Sequence, residues 1–542
     1  MPPLSILIWL PAAAGLLGAA VGSFGSARIG NEPSEPPAAR GWTAPGIVAL
    51  LGALGALGLA IACIAGFDPG GTPLQDVTDT VWISELGIHY KVGVSGLNLA
   101  LVGLTTLLFA ASVLASNLRA WERPRLFYFH LMLAESAVLG AFLAQDLALF
   151  VAFFDLMLIP FYFLVGGWGQ DRNPPTRVRA TIKLVIYTLV GSLLMLAGAV
   201  AAGVLASQDG GGQLTFVLSQ MHTSAIGGEA QDWIFLSFAA AFLVKMPAFP
   251  LHGWMPDGYR AMPIEVLMVF SGVLSKVGAY GFLAIVLPLF PHAAAHFQML
   301  MLLIALASIL YGSLQAFSQT DARLIAGYSS VAQLGFITLG IFALNPQGAQ
   351  GALLQMVNHG LVVAPVLFII ALLARRSGGS EDIRDMGGIA FRAPVLASIF
   401  LIVALATLAI PGSGNFVGEF LILLGVFNSK LAIAIIALVG VVTASVYALR
   451  LFIRAMHNRV GPKVESREIS LLDGAVLAPL AAVIVLLALY PQLWLHRSES
   501  AVKGAVAGAH FYSACGSFSP GHRGAGCLAW ASGGAGQVLV IK

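Results

Sequence analysis

KMPAFPLHGWMPDG, residues 245–258, decides how this chain is read. It closes an apolar run that begins near 232, and it opens on a lysine followed by Pro247 and Pro250. Interior proline removes a backbone hydrogen bond and breaks a helix. Broken helices at membrane depth are tolerated where they line a cavity or the protein interior. A second stretch repeats the device: LAIPGSGNFVGEF, residues 408–420, sets Pro411, Gly412 and Gly414 ahead of Glu419. Two interrupted helices in corresponding positions of two halves are the sequence mark of an inverted-repeat transporter. The runs at 232–255 and 393–427 lie five helices apart. Helices 4–8 and 9–13 are therefore expected to form two five-helix repeats, the second upside down because each unit holds an odd number.

Composition agrees. Of 542 residues, 58% are hydrophobic and 10% are charged, against roughly 25% charged in soluble proteins. So little charge cannot cover a water-facing surface, and a soluble multidomain enzyme is excluded. Mean hydropathy is +0.88. The net charge of +3 is too small to imply nucleic-acid binding; the partner surface is the lipid bilayer. Cys63, Cys515 and Cys527 have neither metal-ligand spacing nor the pattern of a disulfide framework. Fourteen stretches, from 3–24 to 472–495, reach the length of about 20 apolar residues that a spanning helix needs. They are long, continuous and rich in Leu and Ala, without the period of two of a membrane barrel. The expected fold is all-α and polytopic. Residues 1–125 hold helices 1–3 with an outer-face loop, 126–290 the first repeat, 295–453 the second, and 472–495 the last helix. Residues 496–542, rich in Gly, Ser, Ala and His, receive no structure.

Basic residues set the orientation. Odd-numbered loops carry most of them, including Arg28, Arg40, Arg119, Arg172, Arg323, Arg375 and Arg376, whereas even-numbered loops carry little beyond Lys91 and Lys430. Both termini are expected on the outer side of the membrane. Segment 67–91, containing most of WISELGIHYKV, is polar and suggests short strands on the outer face.

An ionisable group in hydrocarbon costs about 2.5–3.5 kcal/mol on insertion scales, so each is a functional candidate. Acid and base alternate along the spans: Asp155, Lys245, Lys276, His359, Glu419. Glu135, His130, Lys183 and Glu265 also fall in or at the ends of spans. The plainer alternative for each is snorkelling at a helix end or a structural ion pair, and it weighs most for Lys183 and Glu265, near helix ends. A row of titratable groups can form a proton relay. Burial makes an ammonium easier to deprotonate, and an approaching carboxylate reverses that.

KMPAFPLHGWMPDG, SGVLSKVGAYGF (271–282), QTDARLIAGYSSVAQLGF (319–336) and IPGSGNFVGEFLILLG (410–425) resemble the antiporter-like subunits of respiratory complex I, the proton-translocating NADH-quinone oxidoreductase, and most of all the M-type (chain 4). The likeness covers roughly 90–490. Glu419 in the second broken helix is the specific mark, since L-type, N-type and Mrp antiporter relatives usually place a lysine there. The resemblance implies a relay of Asp155, Lys245, Lys276, His359 and Glu419, supported by Glu135, His252, Pro247 and Pro411. It implies proton pumping driven by quinone reduction elsewhere in the complex, in the bacterial inner (plasma) membrane. NADH, FMN, iron–sulfur clusters and quinone would belong to partner subunits, with none in this chain, and L-type and N-type subunits would be the neighbours.

Three positions depart from the family pattern. Asp155 replaces the usual glutamate and is one methylene shorter, Tyr259 replaces a histidine, and Gln333 stands in the usual Ser-His-Met-Gly motif. The last two remove histidines from the expected uptake path. Rival readings are an Mrp-type cation/proton antiporter subunit, a membrane subunit of a membrane-bound hydrogenase, and a structural spacer. A spacer would use leucine where Lys245 and Lys276 stand.

Overall fold

A computed structural model describes residues 4–25, 42–169, 174–209, 212–461, 463–465 and 467–515. Arg28, Arg40, Arg172, Cys527 and the tail beyond 515 lie outside them. In chain order the elements are α1 (Leu4–Gly25), α2 (Ala44–Gly66), β1 (Leu74–Ile83), β2 (Ile88–Ser95), α3 (Leu99–Asn117), α4 (Pro124–Leu143), α5 (Leu147–Leu156), α6 (Leu158–Trp168) and α7 (Pro174–Asp209). There follow α8 (Gly228–Lys245), α9 (Met255–Ala261), α10 (Ile264–Val269), α11 (Ser275–Gly281), α12 (Leu287–Leu289), α13 (Pro291–His296) and α14 (Gln298–Ser318). The rest are α15 (Ala322–Ile341), α16 (Pro346–Arg376), α17 (Pro394–Thr407), α18 (Gly414–Ser429), α19 (Leu431–Met456), α20 (Leu471–Leu489) and α21 (Gln492–Cys515).

The protein is a multi-pass, mostly helical membrane protein. Twelve helical segments among the described residues are long and apolar enough to cross a bilayer. Two further segments are interrupted: α8–α9, whose first half carries Glu229, Asp232 and Lys245, and α17–α18. These are the stretches where the sequence places the breaks.

The helices sort into an inner and an outer set. The most hydrophobic window of α16 is wholly buried, and those of α15 and of the segment Ile264–Leu289 are 94% buried. The windows of α2 and α20 are only 33% buried, so most of their apolar side chains face outward, as lipid or a neighbouring subunit requires. Lipid gives helices little hydrophobic reason to associate, so close packing between small residues matters more. Gly351 on α16 shows this: a Cβ there would lie 2.8 Å from the Gly418 carbonyl oxygen of α18. The site described below depends on that close approach.

Loops gather at two ends. At one end the β1–β2 hairpin pairs antiparallel, and bridges join Val92 to Ala144 and Asp146 to Val217. Asp146 caps α5 by accepting from the Leu149 N–H, and it also accepts from the His89 N–H. The polar segment read as strands is this hairpin.

Helix α21 lies over the same end. Gln350 at the start of α16 donates to the Leu495 carbonyl and to Ser498, and the His510 ring contacts the Leu344 carbonyl at 2.7 Å. Residues 496–515, to which the sequence reading assigns no structure, are therefore mostly this helix. Its buried Val502, Val506 and Ala509 follow helical spacing.

At the opposite end Arg323 is 2% exposed. It pairs with Glu381 at 2.5 and 2.8 Å and donates to the carbonyls of Tyr259 and Met262. Arg376 is 5% exposed and donates to the carbonyls of Leu372, Arg467 and Glu468. The sequence reading counts both as loop cations that mark orientation. Their guanidinium groups are instead spent on carbonyls and a carboxylate that fasten loops together.

Candidate functional site

Both breaks are satisfied locally, which lets a polar side chain sit beside each. After α8, Pro247 and Pro250 prevent helix continuation, and a short 3-10 turn, Leu251–Trp254, leads into α9. The Phe249–Pro250 bond is cis. The freed Val244 carbonyl accepts from the Trp254 indole at 3.0 Å, and the Phe249 N–H donates to Ser308 of α14 at 2.9 Å. Between α17 and α18 the chain turns through Ala409 (φ 50°) and Gly412 (φ 97°). Pro411 lies between them. Ser413 caps α18 by accepting from the Phe416 N–H, and Asn358 of α16 donates to the Gly414 carbonyl at 2.7 Å. A cavity of about 10 Å³ adjoins each break, room for about one water. The first is lined by Thr188, Lys245, Trp254 and Leu274. The second is lined by Asn358, Gly414 and Asn415.

Lys245 ends α8 and is 5% exposed. Its ammonium donates to the Phe154 carbonyl at 3.3 Å and lies 4.3 Å from the centre of the Phe154 ring. Asp155, the next residue, is its charged neighbour and also faces Ser192. Lys245 thus bonds the backbone beside Asp155, in keeping with the shorter side chain there.

Lys276 is fully buried in α11, between two π-helical turns at Phe270–Leu274 and Phe282–Val286. π-turns often occur at functional sites. The ammonium donates to the Ser271 carbonyl at 2.5 Å. The Ser271 hydroxyl accepts from Tyr259 at 3.0 Å and bonds Ser330 at 3.2 Å. Tyr259, read from sequence as the loss of a histidine, therefore belongs to the hydrogen-bonded surroundings of Lys276. Lys276 is in turn the charged neighbour of His359 on α16.

His359 is 4% exposed, and its Nδ1 has no partner among the described residues. Four residues earlier on the same helix, Gln355 donates to Gln333 at 2.7 Å, and Gln333 donates to Glu419 at 2.9 Å. Gln333, Gln355 and Glu419 are 2%, 0% and 3% exposed. Tyr447 of α19 stands near Glu419 and bonds Ser329 at 2.9 Å. The five relay candidates therefore fall into three local groups: Asp155 with Lys245, Lys276 with His359, and Glu419 with the two glutamines.

The remaining candidates sit apart. Glu135 on α4 is fully buried, and neither carboxyl oxygen finds a partner among the described residues. His252 is packed on the rings of Phe249 and Tyr311. Glu265 is buried between Arg119 at 3.7 Å and Arg375 at 3.9 Å. Lys183 pairs with Asp257 at 2.8 Å. His130 bonds the Leu126 carbonyl among aromatic rings. Among the described residues no group of three or more His, Cys, Asp or Glu could hold a metal ion. Sequence reasoning missed Gln355, Ser271 and Tyr447. The spacing of four between Gln355 and His359 was a signal for the first.

The family model described as NADH:quinone oxidoreductase/Mrp antiporter, transmembrane, matches residues 144–446. NADH-quinone oxidoreductase subunit M of Rhodobacter capsulatus is 35% identical over 499 residues, covering 90% of this chain and 93% of its own. The protein of the same name from Pseudomonas aeruginosa is 38% identical over 447 residues, covering 80% and 86%. A chain of respiratory complex I from Thermus thermophilus superposes with a TM-score of 0.81 at 26% identity, covering 93% of this chain and 99% of that one. A chain of the Mrp complex from a Dietzia species superposes with a TM-score of 0.76 at 20% identity, covering 94% and 99%, a likeness of fold alone.

Proposed function

The chain belongs to the NADH:quinone oxidoreductase/Mrp antiporter membrane family, and from that membership we infer that it is the proton-translocating subunit M of an NADH-quinone oxidoreductase. Other membrane subunits of the complex are its partners. We assign L-type and N-type antiporter-like subunits as the neighbours, the bacterial inner membrane as the location, and the outer side to both termini. NADH, FMN, iron–sulfur clusters and quinone are assigned to partner subunits. This chain then contributes proton transfer and no redox centre.

In this reading quinone reduction elsewhere moves the Asp155 carboxylate relative to Lys245. A buried ammonium that loses its counter-charge releases its proton more readily. The proton passes to Lys276 through the cavity beside Lys245, then to His359 and on to Glu419, which releases it on the far side. Asp155 switches the relay at Lys245, and Lys245, Lys276, His359 and Glu419 carry the proton. Pro247 and Pro411 hold the breaks open, while Glu135 and His252 support the packing around the path. What supports these roles is that Lys245 and Glu419 are buried charges beside the two helix breaks, and that Lys245 lines the cavity at the first of them. An isolated charge has no other reason to be kept there.

Glu419→Gln keeps the shape and removes the titrating group. Assembled complex carrying it is expected to lose proton pumping in inverted membrane vesicles by at least about tenfold, a conservative bound beside the roughly 10²–10⁴-fold that a positioned acid–base group contributes. Undiminished pumping by that complex would remove Glu419 from the path.

A further inference from the structure

Between His359 and Glu419 stand two buried carboxamides joined end to end. Gln355 on α16 donates to Gln333 on α15, and Gln333 donates to Glu419 on α18. A carboxamide has one accepting oxygen and one donating NH₂ group, so the direction of each bond follows from its neighbour. An ionised Glu419 can only accept. It therefore draws the NH₂ of Gln333, and the Gln333 oxygen then draws the NH₂ of Gln355. The cost falls at the end of the chain: the Gln355 oxygen is buried and finds no donor among the described residues. That oxygen lies over Gly418, where a Cβ would come within 2.3 Å of it.

A protonated Glu419 reverses the logic. Its O–H donates to the Gln333 oxygen, the Gln333 NH₂ donates to the Gln355 oxygen, and the Gln355 NH₂ in turn gives up the acceptor it had. The chain has two arrangements, and the charge on Glu419 selects between them. Gln355 and His359 are four residues apart on one helix face, so the far end of the switch is one turn from the histidine. Tyr447 on α19 is the other titratable group beside Glu419.

We propose that Gln333 and Gln355 form a two-state carboxamide bridge that orients Glu419 and carries its protonation state back to the His359 side of the path. The bridge is a pair of positioning residues. A carboxamide has no titratable proton near neutral pH, so the bridge transmits orientation and the proton itself travels beside it. This rests on the relay role of Glu419.

The test uses the assembled complex in liposomes. Methionine keeps the length of glutamine and removes both hydrogen-bonding groups. Two quantities are read: protons pumped per NADH oxidised, and the infrared carboxyl band that disappears in Glu419→Gln. Gln355→Met reaches the Glu419 carboxyl by hydrogen bonds through Gln333. It is expected to shift that band and to lower pumping at least about fivefold, the equivalent of one buried hydrogen bond. Gln333→Met should do the same. Gly418→Ala, which displaces the Gln355 oxygen, should shift the band and serves where a methionine variant fails to accumulate. An unshifted band with normal pumping in Gln355→Met or Gly418→Ala, while Glu419→Gln is inactive, overturns the bridge alone. Normal pumping in Glu419→Gln overturns the relay reading beneath it.

Discussion

Burial acts differently on an ammonium, a carboxamide and a guanidinium in this chain. Lys245 and Lys276 each keep a backbone carbonyl as partner, so neither depends on a permanent carboxylate and both can give up a proton. Arg323 is bound on several sides. Arg323→Met leaves the buried carbonyls of Tyr259 and Met262 without their donor, and each unpaired buried acceptor costs about 1–3 kcal/mol. The amount of assembled complex in membranes is expected to fall, more than for Glu381→Gln, whose carboxamide oxygen can still accept from Arg323. Equal amounts for Arg323→Met and the parent would contradict the fastening role. Asp155→Glu is expected to pump normally, because Lys245 bonds the Phe154 carbonyl and the carboxyl only needs to be near. Loss of pumping would mean the shorter side chain is matched to its place. The charged members were legible in the sequence because lipid penalises them. Gln355, Ser271 and Tyr447 carry no such penalty and stayed invisible. Gln333 and Tyr259 stood out only as departures; Gln333 hydrogen-bonds Glu419 directly, and Tyr259 bonds the hydroxyl of Ser271, whose carbonyl accepts from Lys276.

At the scale of elements the breaks were readable from proline and glycine, and the hairpin from a polar, extended segment. Helix α21 was not readable. Its apolar face is built from alanines and valines at helical spacing, with polar residues between, so a search for continuous apolar runs passes over it. What the sequence could not give at the breaks is how the freed backbone groups are satisfied. Trp254→Phe removes the donor to Val244 and should lower the stability of the first break by about 1–3 kcal/mol, the cost of a buried acceptor left unpaired. The check is the thermal midpoint of the purified complex, and an unchanged midpoint would count against it. In the hairpin, burial disfavours the Asp79 charge, but His89 and Lys91 donate to it and hold its carboxyl below the usual range. A depressed carboxyl stabilises the folded hairpin above the unfolded carboxyl value of about 3.9. That contribution is lost as pH falls through the folded value. Amide protection in the hairpin is expected to drop on acidification below about pH 4, and Asp79→Asn should abolish the drop. A drop of equal size in that variant would assign the effect elsewhere.

For the whole molecule, the inner helices carry the polar groups and the outer helices turn apolar faces away from them. The three local groups lie on α5 with α8, α11 with α16, and α15 and α16 with α18, so the proposed path would cross from one broken helix to the other through the most buried part of the bundle. Lys276 is the middle of that proposed path, fully enclosed and lodged between two π-turns. Replacing it with methionine keeps the packing and removes the charged group that neighbours the histidine. The decisive measurement is the number of protons pumped per NADH oxidised by assembled Lys276→Met complex in sealed liposomes. Transfer through this subunit should cease, lowering that number below the parent value. An unchanged number would show that protons reach the far side without the buried row.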